Sequence, residues 1–366
     1  MTKAENAVRA WARRSGWLYP VRTARDVPAS AGVPGLPYPN GWYCLGFSVE
    51  LPRGRVITRR LAGEDVVLYR TQSGLARAVD PYCPHLGAHL GAGGTIDGEN
   101  LVCPFHGFAF APDGACVGSP DNAVLRARLT TRPVFEHNGI LVMWHGHDGN
   151  RPAWELPNAV DPAVTPTARW SMELPTHPQE IVENVCDYRH LGALHRLPVR
   201  LISPPTADGP LLRTNLRSEA ARIPFLGSLT WENSTLMAGL GWTLTELSLP
   251  RFGLVVHVWG MATPLEPAHS RFRLAVACTV TDPRRVPGPN VPGYVATLTR
   301  GVAQAVLRMT ARILRDDVMI WKHKRYEPIP KLAANERSIG VFRHWTRQFY
   351  PPAPASAPDG GAASRT

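Results

Sequence analysis

Two short motifs constrain this chain more than anything else in it: Cys83-Pro84-His85 and Cys103-Pro104-Phe105-His106. Each puts a thiol and an imidazole within one tight turn, and two such turns can close on a single metal centre. Zinc accepts two Cys and two His, but its usual turns pair Cys with Cys and His with His. Alternation of the two ligand types suits a two-iron cluster better, with both thiolates on one iron and both imidazoles on the other. His89, between the pairs, falls outside the spacing and reads as a polar loop residue. The runs Trp42-Tyr43-Cys44-Leu45, Val66-Val67-Leu68-Tyr69 and Leu141-Val142-Met143-Trp144 are short, β-rich and set apart by Gly, Pro and Asp. They predict a small antiparallel β domain over residues 41–150. Six cysteines in 366 residues are too few for a disulfide framework, and Cys44, Cys116 and Cys278 read as small buried hydrophobes.

A second constellation follows the Pro-rich linker that begins at Arg151. It runs Glu183-Asn184-Val185-Cys186-Asp187-Tyr188-Arg189-His190-Leu191-Gly192-Ala193-Leu194-His195. Asp187 and His190 are three apart and share a helix face. His190 and His195 are not on one face, because five residues leave them ~140° apart on a regular helix. Both reach one metal only if the helix ends or distorts between them, and Gly192 is placed to permit that. Two His and one carboxylate on one face of iron leave positions open for dioxygen. Residues 302–321 supply the best candidate for the carboxylate. Val302, Val306, Leu307, Met309, Ile313, Leu314, Val318, Ile320 and Trp321 cover a broad apolar arc of a helix predicted over 295–325, with Arg308, Arg312, Arg315 and Lys322 opposite. Asp317 projects near the middle of that arc, so it needs a cation or metal partner; a buried salt bridge is the alternative. Asp316 lies at the edge and reads as solvated.

The formal net charge of +11 invites a nucleic-acid reading, which the detail opposes. Lys3, Lys322, Lys324 and Lys331 are the four lysines among 40 basic residues, and 36 prolines accompany them, a pattern of compositional bias towards Arg and Pro. No dense basic block or RNA-binding signature appears, leaving a docking surface for an acidic partner as the functional alternative. No apolar run reaches the ~20 residues of a spanning helix. Arg13-Arg14 is not followed by an apolar segment, so the chain is expected to be soluble and cytoplasmic. No Gly-x-Gly-x-x-Gly follows a strand, so no nucleotide site is recognised.

The first constellation resembles the Rieske [2Fe-2S] signature, including Gly87, Gly93-Gly94 and Gly107. Followed by Asn-x-x-Asp-x-x-His-x4-His, it is similar to the oxygenase component of Rieske non-haem iron oxygenases. The end of the chain, Asp317-Val318-Met319-Ile320-Trp321-Lys322-His323-Lys324 with Pro330, Trp345 and Gln348-Phe349-Tyr350, looks like the steroid-acting branch. That branch contains 3-ketosteroid 9α-hydroxylase oxygenases and Rieske cholesterol 7-desaturases, and Gly41-Trp42-Tyr43-Cys44-Leu45-Gly46 also fits it. The resemblance covers 41–350, leaving an N-terminal extension (1–40) and a Pro/Ala/Gly-rich tail (351–366). It implies an α+β chain: an antiparallel β Rieske domain (41–150) and a helix-grip, START-like catalytic domain (151–350).

Carried over by position, the resemblance assigns the cluster to Cys83, His85, Cys103 and His106, and mononuclear Fe(2+) to His190, His195 and Asp317. Asp187 matches the acidic residue that bridges the two centres, and Asn184 a position beside it. The implied partners are O2, a steroid or sterol, and a separate ferredoxin or flavin reductase component passing electrons ultimately from NAD(P)H. Subunits in the family form a head-to-tail homotrimer. Residues 197–230 are shorter and more Pro-rich than in the ketosteroid hydroxylases, which leaves the substrate open. The pocket is expected from strands at Trp242–Leu249, Phe252–Trp259 and Phe272–Val280, the last packed on one face, with His257 in the core or the pocket wall. Two other readings stand beside hydroxylation or desaturation of a steroid. One is a Rieske monooxygenase or O-demethylase for another apolar or aromatic substrate; the other is a Rieske electron carrier fused to a lipid-binding domain.

Overall fold

A computed structural model describes residues 36–351 except 150, 198, 224–226 and 290. The N-terminal extension up to residue 35, with Arg13-Arg14, and the tail from 352 lie outside the described residues. The N-terminal half consists of short strands: β1 (Gly41–Phe47), β2 (Val56–Leu61), β3 (Glu64–Arg70), β4 (Ala76–Val79), β5 (Thr95–Asp97), β6 (Asn100–Val102), β7 (Ala109–Phe110), β8 (Cys116–Gly118), β9 (Thr131–Arg132), β10 (Val134–His137) and β11 (Ile140–His145). They pair antiparallel in three sheets of order β1-β11-β10, β2-β3-β4-β9 and β5-β6-β7-β8. Strands this short are held by what they bury. Val67, Tyr69, Val79, Leu90, Leu101, Phe108 and Phe110 form one core, and Cys83 and Cys103 belong to it.

The C-terminal half begins with β12 (Ala168–Leu174), α1 (Pro178–Glu183) and α2 (Tyr188–Ala193). It continues through β13 (Val199–Asp208), β14 (Leu211–Ile223), β15 (Gly227–Ala238), β16 (Trp242–Leu249), β17 (Leu254–Glu266) and β18 (His269–Val280) to α3 (Pro292–His323) and α4 (Arg337–Thr346). The strands make one seven-stranded antiparallel sheet of order β12-β18-β17-β16-β15-β14-β13. Successive residues alternate between its faces. Val256, Val258, Leu274 and Val276 pack with Ala303, Leu307, Val318 and Trp321 of α3, the grip of a long helix on a sheet. The Pro-rich stretch after the second histidine forms edge strand β13. Pro204 and Pro205 fall where its register with β14 breaks, between Ser203 and Thr206, the place where a strand tolerates a missing N–H.

Three expectations need correction. The β18 strand is buried on both faces rather than one: Ala275 and Ala277 pack with Trp42, Cys44, Val142 and Trp144 of the N-terminal half. Arg273, on the face of β18 expected to be unpacked, is consequently buried, and its guanidinium donates to Cys44 O at 2.9 Å and Leu45 O at 3.4 Å. His257 lies on that same side as Trp259, bonded to Thr279 Oγ1 at 2.9 Å, and takes the core position, one of the two expected for it. Second, the apolar arc of α3 is wider than the strip the sheet covers. Ala303, Leu307, Asp317, Val318 and Trp321 are buried, while Met309 and Ile320 stay exposed. Third, strand β17 starts later than expected, since Pro250–Phe252 forms a 3-10 turn.

The Arg273 contacts tie the two halves together, with Thr263 Oγ1 donating to Cys44 O at 2.7 Å beside them. Arg273→Ala removes these bonds and leaves a cavity, so it is expected to destabilise the chain by about 2–4 kcal/mol. Urea unfolding with unchanged m-value checks it; a midpoint equal to wild type would contradict the bridging role.

Candidate metal centres

The two Cys/His turns are built alike. Gly87 N donates to Cys83 O at 3.0 Å and Cys83 N to Ala88 O at 2.9 Å; Gly107 N donates to Cys103 O at 3.1 Å and Cys103 N to Phe108 O at 2.9 Å. Gly87 and Gly107 have φ of +74° and +71°, a conformation in which a side chain would be strained. Each loop thereby sets its Cys inward and its His towards the surface. Both cysteines are 3% exposed, His106 is exposed, and the His85 and His106 rings lie 4.8 Å apart. The buried His85 Nδ1 has no protein partner. Burial pushes the Cys83 thiol up, the His85 backbone pulls it down, and Cys103 raises it again. Two thiols and two imidazoles converging on a half-dry loop tip fit an iron–sulfur cluster that would hold the thiolates charged.

The second site is assembled from three elements. Pro178 and the His177 side chain, which accepts from Gln179 N at 3.1 Å, start α1 and bring the chain to Asn184. Asp187 caps α2, its Oδ1 accepting from His190 N at 3.3 Å. The helix closes at Ala193, and His195 N bonds back to His190 O at 3.4 Å, a widened turn that swings His195 round to the face of His190. The sequence reading required such a break but placed it at Gly192. That residue lies within the helix, and the left-handed conformation falls on Arg196 (φ +55°).

From α3, Asp317 enters this pair. Its Oδ1 lies 3.2 Å from His195 Nε2 and 3.9 Å from His190 Nε2, and accepts from Asn184 Nδ2 at 3.1 Å. One ligand atom from each of His190, His195 and Asp317 lies within 4.8 Å of the others. The side chains of His195 and Asp317 are 1% and 5% exposed. Burial raises the Asp317 carboxyl above the usual range although both histidines oppose it. Burial pulls His190 down, but Asp187 and Asp317 outweigh it and hold the imidazole above its ordinary value.

Both histidines turn Nε2 to the shared carboxylate and Nδ1 to another one: His190 Nδ1 is 3.6 Å from Asp187 Oδ2, and His195 Nδ1 is 3.8 Å from Asp316 Oδ2. Neither Nδ1 has a hydrogen-bond partner at these distances, but a negative charge on that side of each ring favours a proton on Nδ1 and so a free Nε2 for a metal. Asp316 is solvated as expected, 59% exposed, and also brings one carboxylate oxygen near the outer side of the His195 ring. Its signal in the sequence was adjacency to Asp317, which a periodicity argument discards. The donor set of two imidazoles and one carboxylate, with none opposite them among the described residues, fits ferrous iron with open positions.

The Rieske [2Fe-2S] domain profile matches residues 41–130, and the 3-ketosteroid 9alpha-hydroxylase C-terminal domain profile matches 143–350. This chain belongs to the Rieske non-haem iron oxygenases. It is 31% identical over 332 residues to a cholesterol 7-desaturase of Bombyx mori, covering 86% of this chain and 70% of that protein. It is 29% identical over 345 residues to a probable 3-ketosteroid-9-alpha-monooxygenase, oxygenase component, of Rhodococcus rhodochrous, covering 87% and 82%. A crystal structure of dicamba monooxygenase bound to dicamba superposes with TM-score 0.57 at 17% identity, over 85% of this chain and 96% of that one, which shows a shared fold. As a Rieske oxygenase component the chain is an oxidoreductase, with a Rieske cluster and mononuclear iron as cofactors and a separate electron donor. Among the described residues no helix is long and apolar enough to cross a membrane.

Proposed function

We propose that this oxygenase component hydroxylates or desaturates a steroid or sterol. The observation that carries this is the match of residues 143–350, the half with the sheet, α3 and the three-ligand site, to the 3-ketosteroid 9alpha-hydroxylase C-terminal domain. The cholesterol 7-desaturase and ketosteroid monooxygenase relatives extend over both halves. In this reading Cys83, His85, Cys103 and His106 hold the cluster, and His190, His195 and Asp317 hold the iron. When bound, the two groups supply electrons and a place for O2 to be activated against an unactivated C–H bond. The chain's own residues do the rest. Asp187 and Asp316 orient the imidazoles, Asn184 donates to Asp317 Oδ1, and the face of the sheet under α3 excludes water around an apolar substrate. A pure electron carrier has no use for a buried carboxylate between two imidazoles.

The reading extends to the assembly. Exposed Tyr82, Leu86 and Phe105 surround the tip that presents His106, an apolar collar suited to another subunit. A head-to-tail homotrimer would set the cluster of one subunit against the Asp187–His190 edge of the next. A ferredoxin or flavin reductase would deliver electrons from NAD(P)H, and six cysteines with no disulfide among them suit a reducing cytoplasm.

The test is a single turnover. Protein holding both metals is reduced chemically without a reductase, then mixed with O2 and cholesterol or 3-ketosteroids, with products weighed by mass spectrometry. A gain of one oxygen atom identifies a hydroxylase, and a loss of two hydrogens a desaturase. No product from any steroid would contradict the proposal.

A further inference from the structure

Buried polar atoms without a partner are uncommon and call for a ligand, a water or a function. Three of them share one face of the sheet: Thr214 Oγ1, Ser218 Oγ and Asn233 Oδ1. Thr214 and Ser218 are each 1% exposed. The register sets the face. Thr214 pairs with Thr235 and Thr235 with Thr245, while Leu216 pairs with Asn233 and Asn233 with Leu247. Leu212 and Met237, two residues from Thr214 and Thr235 and thus on the same side, belong to the core under α3, as does Leu247. These polar atoms are therefore on the substrate side of the sheet, not on the side that packs against the N-terminal half.

Their neighbours have solved the same problem internally. The Thr235 and Thr245 hydroxyls bond each other at 2.9 Å, and Thr243 Oγ1 donates to Gly260 O at 2.8 Å. Thr214, Ser218 and Asn233 have not. Asn233 lies opposite Leu216, diagonal to Thr214 on one side and Ser218 on the other, about 7–8 Å between backbone positions. Asn233 Oδ1 thus has a hydroxyl-bearing residue on either side of it along the neighbouring strand, and neither bonds it.

Resting on the steroid reading above, we propose that Thr214, Ser218 and Asn233 form a polar subsite that takes the hydroxyl of a hydroxysteroid. The chemistry selects a hydroxyl over a ketone. Asn233 Oδ1 only accepts, so it needs a ligand that donates; Thr214 and Ser218 can donate to the ligand's lone pairs. An alcohol meets both demands, a ketone meets only the second, and a hydrocarbon meets neither. A site built to bond an OH group discriminates through the buried polar groups left unpaired by the wrong ligand.

The experiment uses the metal-loaded full chain and a matched series, 5α-cholestan-3β-ol, 5α-cholestan-3-one and 5α-cholestane, presented in cyclodextrin. Binding is read by quenching of tryptophan fluorescence. Wild type is expected to bind the alcohol about tenfold more tightly than the ketone, and the hydrocarbon most weakly. Asn233→Leu should abolish the preference for alcohol over ketone. Thr214→Val with Ser218→Ala should weaken both oxygenated ligands about tenfold while leaving the hydrocarbon unchanged. Thermal melting of the ligand-free variants guards against misfolding: removing an unpaired buried group leaves the midpoint unchanged or raises it. Equal affinities for the three ligands, unaltered in the variants, would overturn the subsite and leave the steroid reading standing. A fall in the ligand-free midpoint would show a structural partner there and also overturn it. Wild type that binds none of the three, with iron content intact, would bring down the steroid reading and this assignment together.

Discussion

Asp317→Ala is expected to remove the mononuclear iron and lower turnover by more than about 10³-fold, while the cluster's visible spectrum stays unchanged. Asp317 Oδ1 is the atom that both imidazoles face, and it lies on a helix that contributes nothing to the cluster loops. Its removal therefore separates the two metals cleanly. The change should cost little stability, because a carboxyl that burial already holds above its normal range is costly to keep without a cation. Iron analysis with the visible spectrum checks this. Loss of both metals would mean that Asp317 holds the fold together, and retention of both would remove it from the ligand set.

Asp187 should give the opposite pattern. Asp187→Ala is expected to keep both metals and lose about a hundredfold in turnover, the usual scale for a residue that orients a metal-bound histidine. Asp187 does two things, since Oδ1 caps α2 through His190 N and Oδ2 lies 3.6 Å from His190 Nδ1. Asp187→Asn separates them. Asparagine caps a helix about as well as aspartate, so the alanine variant alone should lose about 1 kcal/mol of stability. Both should lose turnover if the charge beside His190 matters. Full activity in the alanine variant would end the bridging role.

The cluster loops could be read from the sequence because each is local: one thiol, one imidazole and the glycine that fixes the turn lie within five residues, from Cys83 to Gly87 and from Cys103 to Gly107. The strands Trp242–Leu249 and Phe272–Val280 and the long helix were equally accessible, since periodicity reports them directly. What pairs across the fold was harder. Whether Arg273 faces water or the N-terminal half depends on a second domain packing on the far side of the sheet, and alternation along β18 carries no trace of that. The same ambiguity of faces left His257 open between core and pocket wall, and the packing of the N-terminal half puts it in the core. The break between His190 and His195 followed from helix geometry, but its position did not, because a widened turn at Ala193 needs no glycine. Asp316 was passed over because a helical wheel assigns one residue to the site, whereas the two histidines each present a second nitrogen that a neighbouring carboxylate can meet.

One chain is expected to hold two kinds of iron in two donor sets. Mössbauer spectroscopy of protein reconstituted with 57Fe and sulfide tests that most directly. The expected result is about three irons and about two acid-labile sulfides per chain, in two populations. After reduction, two thirds of the iron should show the localised ferrous and ferric sites of a cluster with unlike ends, and one third a high-spin ferrous ion with nitrogen and oxygen ligands. A single iron population, or a cluster whose two irons are equivalent, would contradict the account.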